Sequence, residues 1–122
     1  EARMIKSYLD LEVYRRSYEL ALTVHRLSLE FPDFEKYELG KQLRRASKSI
    51  PANIAEGYGQ RSSVANFKRF LLIAQGSCDE VKVWLDMARD LGYIKGEEAM
   101  ELKGSYMEVG KMLNSLIRVW RV

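Results

Sequence analysis

Apolar residues recur at intervals of three and four along most of this 122-residue chain, and no part of it shows the strict alternation of a half-buried strand. The spacing predicts four amphipathic helices, over about residues 10–31, 35–58, 63–91 and 97–120. Because only short connections separate them, consecutive helices are expected to run antiparallel. The predicted fold class is therefore all-α, a single up-down-up-down four-helix bundle over residues 10–122 that follows an N-terminal extension over residues 1–9.

Proline and glycine mark the irregular points of these helices. Pro51 interrupts the second apolar stripe, where a missing backbone donor costs about 3 kcal/mol. The stripe continues to Ile54 without a slip, so the second helix is expected to kink at Pro51 rather than end there. Gly76 lies in the middle of the third helix and is expected to permit a close approach by another helix. Ser62 or Ser63 is expected to cap the start of that helix, and Gly92 its end.

The composition leaves little room for catalytic or membrane functions. The longest uncharged stretch, Ser49–Ala55, is far too short to cross a bilayer, and no signal-peptide pattern is visible at the N-terminus. The single cysteine, Cys78, fits a reducing cytoplasm. With one cysteine and one histidine the chain lacks the ligands of a tetrahedral zinc site, so we expect no enzyme, no metal and no cofactor. His25 is expected to be packed and hydrogen-bonded within the bundle.

Positive charge is concentrated in the middle third of the chain. The net charge is only +3, but residues 39–78 carry seven Lys or Arg against Glu56 alone. Four of these cations lie at offsets of three and four on the second helix, opposite its apolar stripe: Lys41, Arg44, Arg45 and Lys48. Three more are expected to extend the surface: Arg61, Lys68 and Arg69. Because Lys and Arg displace counterions from phosphates, this surface predicts binding to RNA or DNA.

The same cations fit a second function, that of a protein-interaction scaffold or adaptor. A basic helix face can also meet an acidic partner protein or a neighbouring subunit. In either case a second apolar surface favours self-association. Its residues are Ile73, Val83, Met87, Val119 and Val122.

The sequence also predicts the positions of several tyrosines and of two polar residues in the second helix. Tyr58, between two glycines and beside the basic run, is the best candidate for stacking on a base. Three other tyrosines fall on core stripes and are expected to pack there: Tyr14, Tyr18 and Tyr106. Pro51 leaves the Ser47 carbonyl without its usual donor, and either the Asn53 amide or a neighbouring hydroxyl is expected to satisfy the groups freed in this way. Glu56 has apolar neighbours and is expected to be a buried carboxylate with a partner.

The run from Arg44 to Gly59 contains Ser-Ile-Pro-Ala-Asn-Ile-Ala-Glu-Gly. It resembles the signature of the four-helix-bundle family named for the 23S rRNA intervening sequence, also called the S23 ribosomal protein family. The residues of this motif are Ser49, Pro51, Asn53, Glu56 and Gly57. Residues 10–14, 67–72, 74–77 and 91–94 resemble other parts of the family, and the likeness covers about residues 8–121.

The resemblance implies an antiparallel four-helix bundle, of bacterial origin, that assembles as a homopentameric ring. It also relates the chain to the accessory variability determinant proteins of diversity-generating retroelements, which are basic bundles that bind nucleic acid and a reverse transcriptase. The implied partners are other copies of the chain, RNA or DNA, and a reverse transcriptase or another protein. The family's biochemical role is otherwise largely undefined, and it supplies no catalytic residues.

Overall fold

The computed structural model of the protein describes residues 4–120, which form helices and turns and contain no β-strand. The elements in chain order are a 3-10 turn Tyr8–Asp10, α1 Glu12–Ser28, α2 Asp33–Lys36, α3 Leu39–Gly59, α4 Val64–Asp90 and α5 Gly96–Val119. Four of these helices are long, which confirms the predicted all-α fold class. None of the helices in the described range is both long and apolar enough to cross a membrane.

Contacts between distant residues fix the antiparallel order of the long helices. Near the middle of both α3 and α4, the Ser77 hydroxyl donates to Ser49 Oγ at 2.9 Å. At the end of α3, Gly57 lies against Phe67 at the beginning of α4. Two hydrogen bonds show the same reversal between α4 and α5, from Lys103 to Asp86 and from Gln75 to the carbonyl of Gly110. Helix α1 packs mainly against α3 and makes a smaller contact with α5, so the four long helices form one bundle.

The core is built from the apolar stripes that the periodicity predicts. The buried apolar positions of α3 and α5 recur at three and four, as in Leu39, Leu43, Ala46, Ile50 and Ile54 and in Ala99, Leu102, Tyr106, Val109 and Leu113. The longer α4 contributes eight buried residues to the same core. Tyr8, from the 3-10 turn, also packs against it, so the chain before α1 makes contact with the bundle.

The predicted second helix begins later than expected, which corrects its N-terminal boundary. The residues after Pro32 form a separate short helix, α2, in which the backbone N–H of Glu35 donates to the Pro32 carbonyl at 2.8 Å. The Tyr93 hydroxyl donates to Glu35 Oε2 at 2.7 Å and ties α2 to the connection between α4 and α5. The break between α2 and α3 falls at Tyr37 and Glu38, where no glycine or proline marks it.

The ends of α4 follow the predicted capping chemistry. The Ser63 side chain accepts from the backbone N–H of Asn66 at 3.1 Å, which satisfies one of the free donors of the first turn. At the other end Gly92 has φ +84°, a left-handed conformation that favours glycine. The backbone N–H of Tyr93 then reaches the carbonyl of Ala88 at 2.8 Å and completes a Schellman motif.

Pro51 and Gly76 behave differently from one another. The helix α3 continues through Pro51, which is buried, so the second helix does not break there, as predicted. The expectation for Gly76 is wrong: it is exposed, and a Cβ on it would meet nothing within 4 Å. The close approach between α3 and α4 lies at Gly57 instead.

Candidate nucleic-acid interface

Three cations project from the outer side of α3. Lys41, Arg45 and Lys48 are all exposed, and their offsets of four and three place them along one line of the helix, which we call the basic stripe. They face outward because the opposite side of α3 is buried in the core. None of the three forms an ion pair with any residue in the described range 4–120. The basic stripe therefore carries positive charge that no ion pair within the described part of the chain neutralises.

Arg44, the fourth predicted cation, turns away from this line and into the bundle. Its Nη1 donates to Ser28 Oγ at 2.8 Å, and its Nη2 donates to the carbonyl of Lys36 at 2.7 Å. Gly40 leaves room for the guanidinium, because a Cβ there would lie 3.0 Å from Nη1. Arg44 thus links the ends of α1 and α2 to α3, and its contribution to an outer surface is secondary to this structural role.

The three remaining predicted cations lie at the other end of α3. Arg61 comes two residues after Gly59, the last residue of α3, and Gly59 lies roughly 17 Å along the helix from Lys48 at 1.5 Å per residue. Its guanidinium lies 4.1 Å from the centre of the Tyr58 ring and donates to the Tyr58 carbonyl. Arg69 lies over the Phe70 ring at 4.7 Å, and Lys68 is half-buried. The structure therefore separates these cations from the basic stripe.

The expectation that Tyr58 stacks on a base is wrong. Tyr58 is only 5% exposed and packs edge-on against Phe67 and Trp120, with ring centres 6.2 Å away in both cases. Both flanking glycines lie within α3, which carries Tyr58 into the core.

Tyr18, rather than Tyr58, is the exposed tyrosine beside the basic stripe. Tyr18, expected in the core, is 46% exposed, whereas Tyr106 is fully buried as predicted and Tyr14 is half-buried. The α1 stripe that carries Tyr18 faces Ala52 and Ala55 on α3, and these side chains are too short to cover a tyrosine ring. The two alanines lie four and seven residues after Lys48, and that spacing is the sequence signal for a shallow surface beside the basic stripe.

Two residues of the motif that resembles the family signature, Ser49 and Asn53, are hydrogen-bonded to each other within α3. Asn53 Nδ2 donates to the Ser49 carbonyl at 2.7 Å and to Ser49 Oγ at 2.9 Å. Ser49 Oγ also accepts from Ser77 on α4. Asn53 was expected to serve a group freed by Pro51, but the carbonyl that Pro51 deprives of its usual donor belongs to Ser47, so that expectation is corrected. The serine and asparagine instead fasten α3 to α4 two residues on either side of Pro51.

Glu56 is not a buried anchor, which corrects its predicted environment. Its side chain is exposed, and no ion pair or hydrogen bond to it occurs within the described residues. It lies on the outer side of α3, because Ile54 and Gly57 occupy the buried side.

The groups that could carry covalent or metal chemistry are isolated from one another. His25 is half-buried, and no hydrogen bond to its imidazole occurs among residues 4–120, so the predicted hydrogen bond is not found. Its pKa lies below 6.5, first through desolvation and then through the positive charges of Lys48, Arg44 and Arg26. Burial raises the pKa of the Cys78 thiol to about 12. Within the part of the chain that the structure describes, no three potential metal ligands lie together.

Together, the fold and this surface define a class of protein: an antiparallel four-helix bundle whose helix α3 carries an exposed basic stripe. A family model described as 23S rRNA-intervening sequence protein matches residues 9–115 of the chain. The chain belongs to this family, as its motif indicated.

A solved structure supports the same assignment. It is the crystal structure of a protein of unknown function from the S23 ribosomal protein family of Bacteroides thetaiotaomicron. The two sequences are 30% identical, and the match covers 88% of this chain and 96% of the other with a TM-score of 0.80. A search of curated proteins found no match.

Proposed function

We propose that the protein is a non-enzymatic bundle that binds the phosphates of RNA or DNA through the basic stripe on α3. The observation that carries this proposal is that Lys41, Arg45 and Lys48 are exposed on one line and have no acidic partner among the described residues. Other cations of the chain do have such partners, as in the pairs Lys82–Asp79 and Lys103–Asp86. An unneutralised line of cations attracts a polyanion because each phosphate contact releases condensed counterions.

Three cations per chain supply few phosphate contacts, so affinity is expected to depend on several copies acting together. Linked binding sites raise the overall affinity by two to four orders of magnitude, roughly, without any new contact. We therefore include self-association in the proposal, as the homopentamer that the family resemblance implies. A ring would repeat the basic stripe around its circumference.

An uncovered apolar face supports this self-association. Leu72, Ile73, Val83 and Met87 are all more than 40% exposed, and they share the outer side of α4. Gly76, between them, adds no side chain to this face. Several large apolar side chains exposed on one side of a helix are typical of an interface. Val119 is also exposed, and Val122 lies outside the described residues.

The binding proposal is tested by equilibrium titration of a structured 23S rRNA fragment at low salt. A triple variant, Lys41→Ala, Arg45→Ala and Lys48→Ala, is expected to bind at least tenfold more weakly than the wild type. Arg44 is kept in this variant because it holds the bundle together. The matched control, Lys82→Ala, Lys95→Ala and Lys111→Ala, removes the same charge elsewhere and is expected to retain most of the affinity.

A wild type that binds neither this fragment nor duplex DNA at low salt, while folded and self-associated, would overturn the proposal. The basic stripe would then be better explained by an acidic protein partner, as in an adaptor. The self-association is tested separately by the mass in solution. The wild type is expected at five times the 14.2 kDa of the chain, and Val83→Glu with Met87→Glu at a lower mass.

A further inference from the structure

An open groove of about 500 Å³ lies between α1 and α3, next to the basic stripe. One wall is formed by α1, with Tyr14, Tyr18 and His25. The other is formed by α3, where Ala52 and Ala55 are small enough to leave the space unfilled. Of the described residues that line the groove, none is acidic.

The tyrosines of the first wall form a continuous aromatic surface. The ring centres of Tyr14 and Tyr18 are 5.9 Å apart, and Tyr8 packs edge-on against Tyr14 at 4.8 Å. Nearly half of Tyr18 remains exposed. Desolvation, and then the nearby phenols of Tyr8 and Tyr18, raise the pKa of Tyr14, so this hydroxyl stays protonated at neutral pH.

The cationic end of the groove is continuous with the basic stripe. Lys48 belongs to both, and it lines the groove close to His25. The pKa of His25 is lowered first by desolvation and then by nearby positive charges, of which that of Lys48 is the largest. A ligand with a flat apolar part and an adjacent negative charge would match both the aromatic wall and the cationic end.

We propose, resting on the proposed function above, that the groove receives an unpaired base of single-stranded RNA or DNA, stacked against Tyr18, while neighbouring phosphates contact Lys48 and Arg45. Every base presents a π-face, and a basic groove with exposed aromatic rings is the usual arrangement for holding single strands. A base-paired duplex keeps its bases stacked inside and would reach only the basic stripe. The protein would therefore prefer single strands and unpaired loops.

The test compares three probes of equal length: an oligouridylate, an abasic strand with the same phosphates, and an RNA duplex. The wild type is expected to bind the oligouridylate about tenfold or more tightly than the abasic strand. Tyr18→Leu is expected to lose this preference while its affinity for the abasic strand stays unchanged. Tyr18→Phe keeps the ring and is expected to bind like the wild type.

A second variant fills the groove without touching the tyrosines. Ala52 is exposed on a helix, so Ala52→Leu is expected to fold normally and to lose the preference for the oligouridylate as Tyr18→Leu does. Equal binding of the oligouridylate and the abasic strand by the wild type would overturn the groove proposal and leave phosphate binding standing. Absence of binding to all three probes would overturn both.

The solution mass of each variant identifies a competing occupant. If Tyr18→Leu and Ala52→Leu change the oligomeric state but not the preference for bases, the groove is a contact between copies of the chain. That result would also overturn the proposal.

Discussion

Gly57 on α3 and Phe70 on α4 lie so close that a Cβ on the glycine would be 2.7 Å from the Cβ of the phenylalanine. Such a distance lies well inside van der Waals contact, so glycine is required where the two helices approach each other. The close contact also presses the Tyr58 end of α3 onto Phe67, which packs against Trp120 with ring centres 4.7 Å apart.

Replacing Gly57 is therefore expected to weaken the bundle. Gly57→Ala should lower the free energy of unfolding by about 1–3 kcal/mol, because the added methyl forces the helices apart. Gly104→Ala, on α5 where an added Cβ would meet nothing within 4 Å, is the matched control and should raise that free energy by about 0.5–1 kcal/mol. Urea denaturation of both variants measures these changes. Equal effects of the same sign would contradict the assignment of the close approach to Gly57.

Arg44 is expected to stabilise the fold, unlike the basic residue that follows it. Arg44→Ala removes two hydrogen bonds, to Ser28 and to the Lys36 carbonyl, and should lower the free energy of unfolding by roughly 2–3 kcal/mol. Arg45→Ala, an exposed neighbour, should change it by less than about 0.5 kcal/mol. Thermal unfolding followed by circular dichroism compares the two. Similar melting temperatures for both would show that the two hydrogen bonds contribute little.

The buried Tyr106 hydroxyl has no hydrogen-bond partner within residues 4–120, and desolvation raises its pKa. Because an unpaired buried hydroxyl is costly, Tyr106→Phe should raise the free energy of unfolding by about 1 kcal/mol. Tyr93→Phe removes a hydroxyl that donates to Glu35 and should lower it by about 1 kcal/mol. Chemical denaturation of both proteins checks the signs. A destabilised Tyr106→Phe would count against an unpaired hydroxyl.

The single histidine should make stability depend on pH below neutrality. The pKa of His25 is lower in the folded protein than the 6.5 expected when unfolded, so below about pH 6.5 the unfolded state binds more protons. Stability should therefore fall as the pH drops from 6.5 toward 5. His25→Gln should lose stability less steeply over that interval. Denaturation at several pH values tests this, and identical slopes for the two proteins would refute the assignment to His25.

The sequence predicts the bundle well because burial follows a simple period. Leu43, Ile50 and Ile54 recur at seven and four, and the helix they define stays continuous through Pro51. The same reasoning misplaces side chains at the edges of a stripe, where one helix does not determine what covers it. Tyr18 is open because its neighbours on α3 are alanines, and only the packing of α1 on α3 reveals this.

For the charged residues, too, the sequence predicts some side-chain positions and misplaces others. Spacing alone groups Arg44 with the basic stripe, because residues three and four apart share a helix side. Its long side chain instead reaches acceptors on α1 and α2, and sequence spacing does not encode which acceptors lie within reach. Glu56 was misplaced for the opposite reason, since its apolar sequence neighbours belong to the other side of the helix.

The salt dependence of nucleic-acid affinity tests the central claim most directly. The logarithm of the binding constant for a single-stranded RNA should fall linearly with the logarithm of the salt concentration. For each chain that engages the RNA, loss of Lys41, Arg45 and Lys48 should make the slope shallower by about 2, since each phosphate contact on a single strand contributes about 0.7. The control variant at Lys82, Lys95 and Lys111 should keep the wild-type slope. Equal slopes for the stripe variant and the wild type would contradict phosphate binding by the basic stripe.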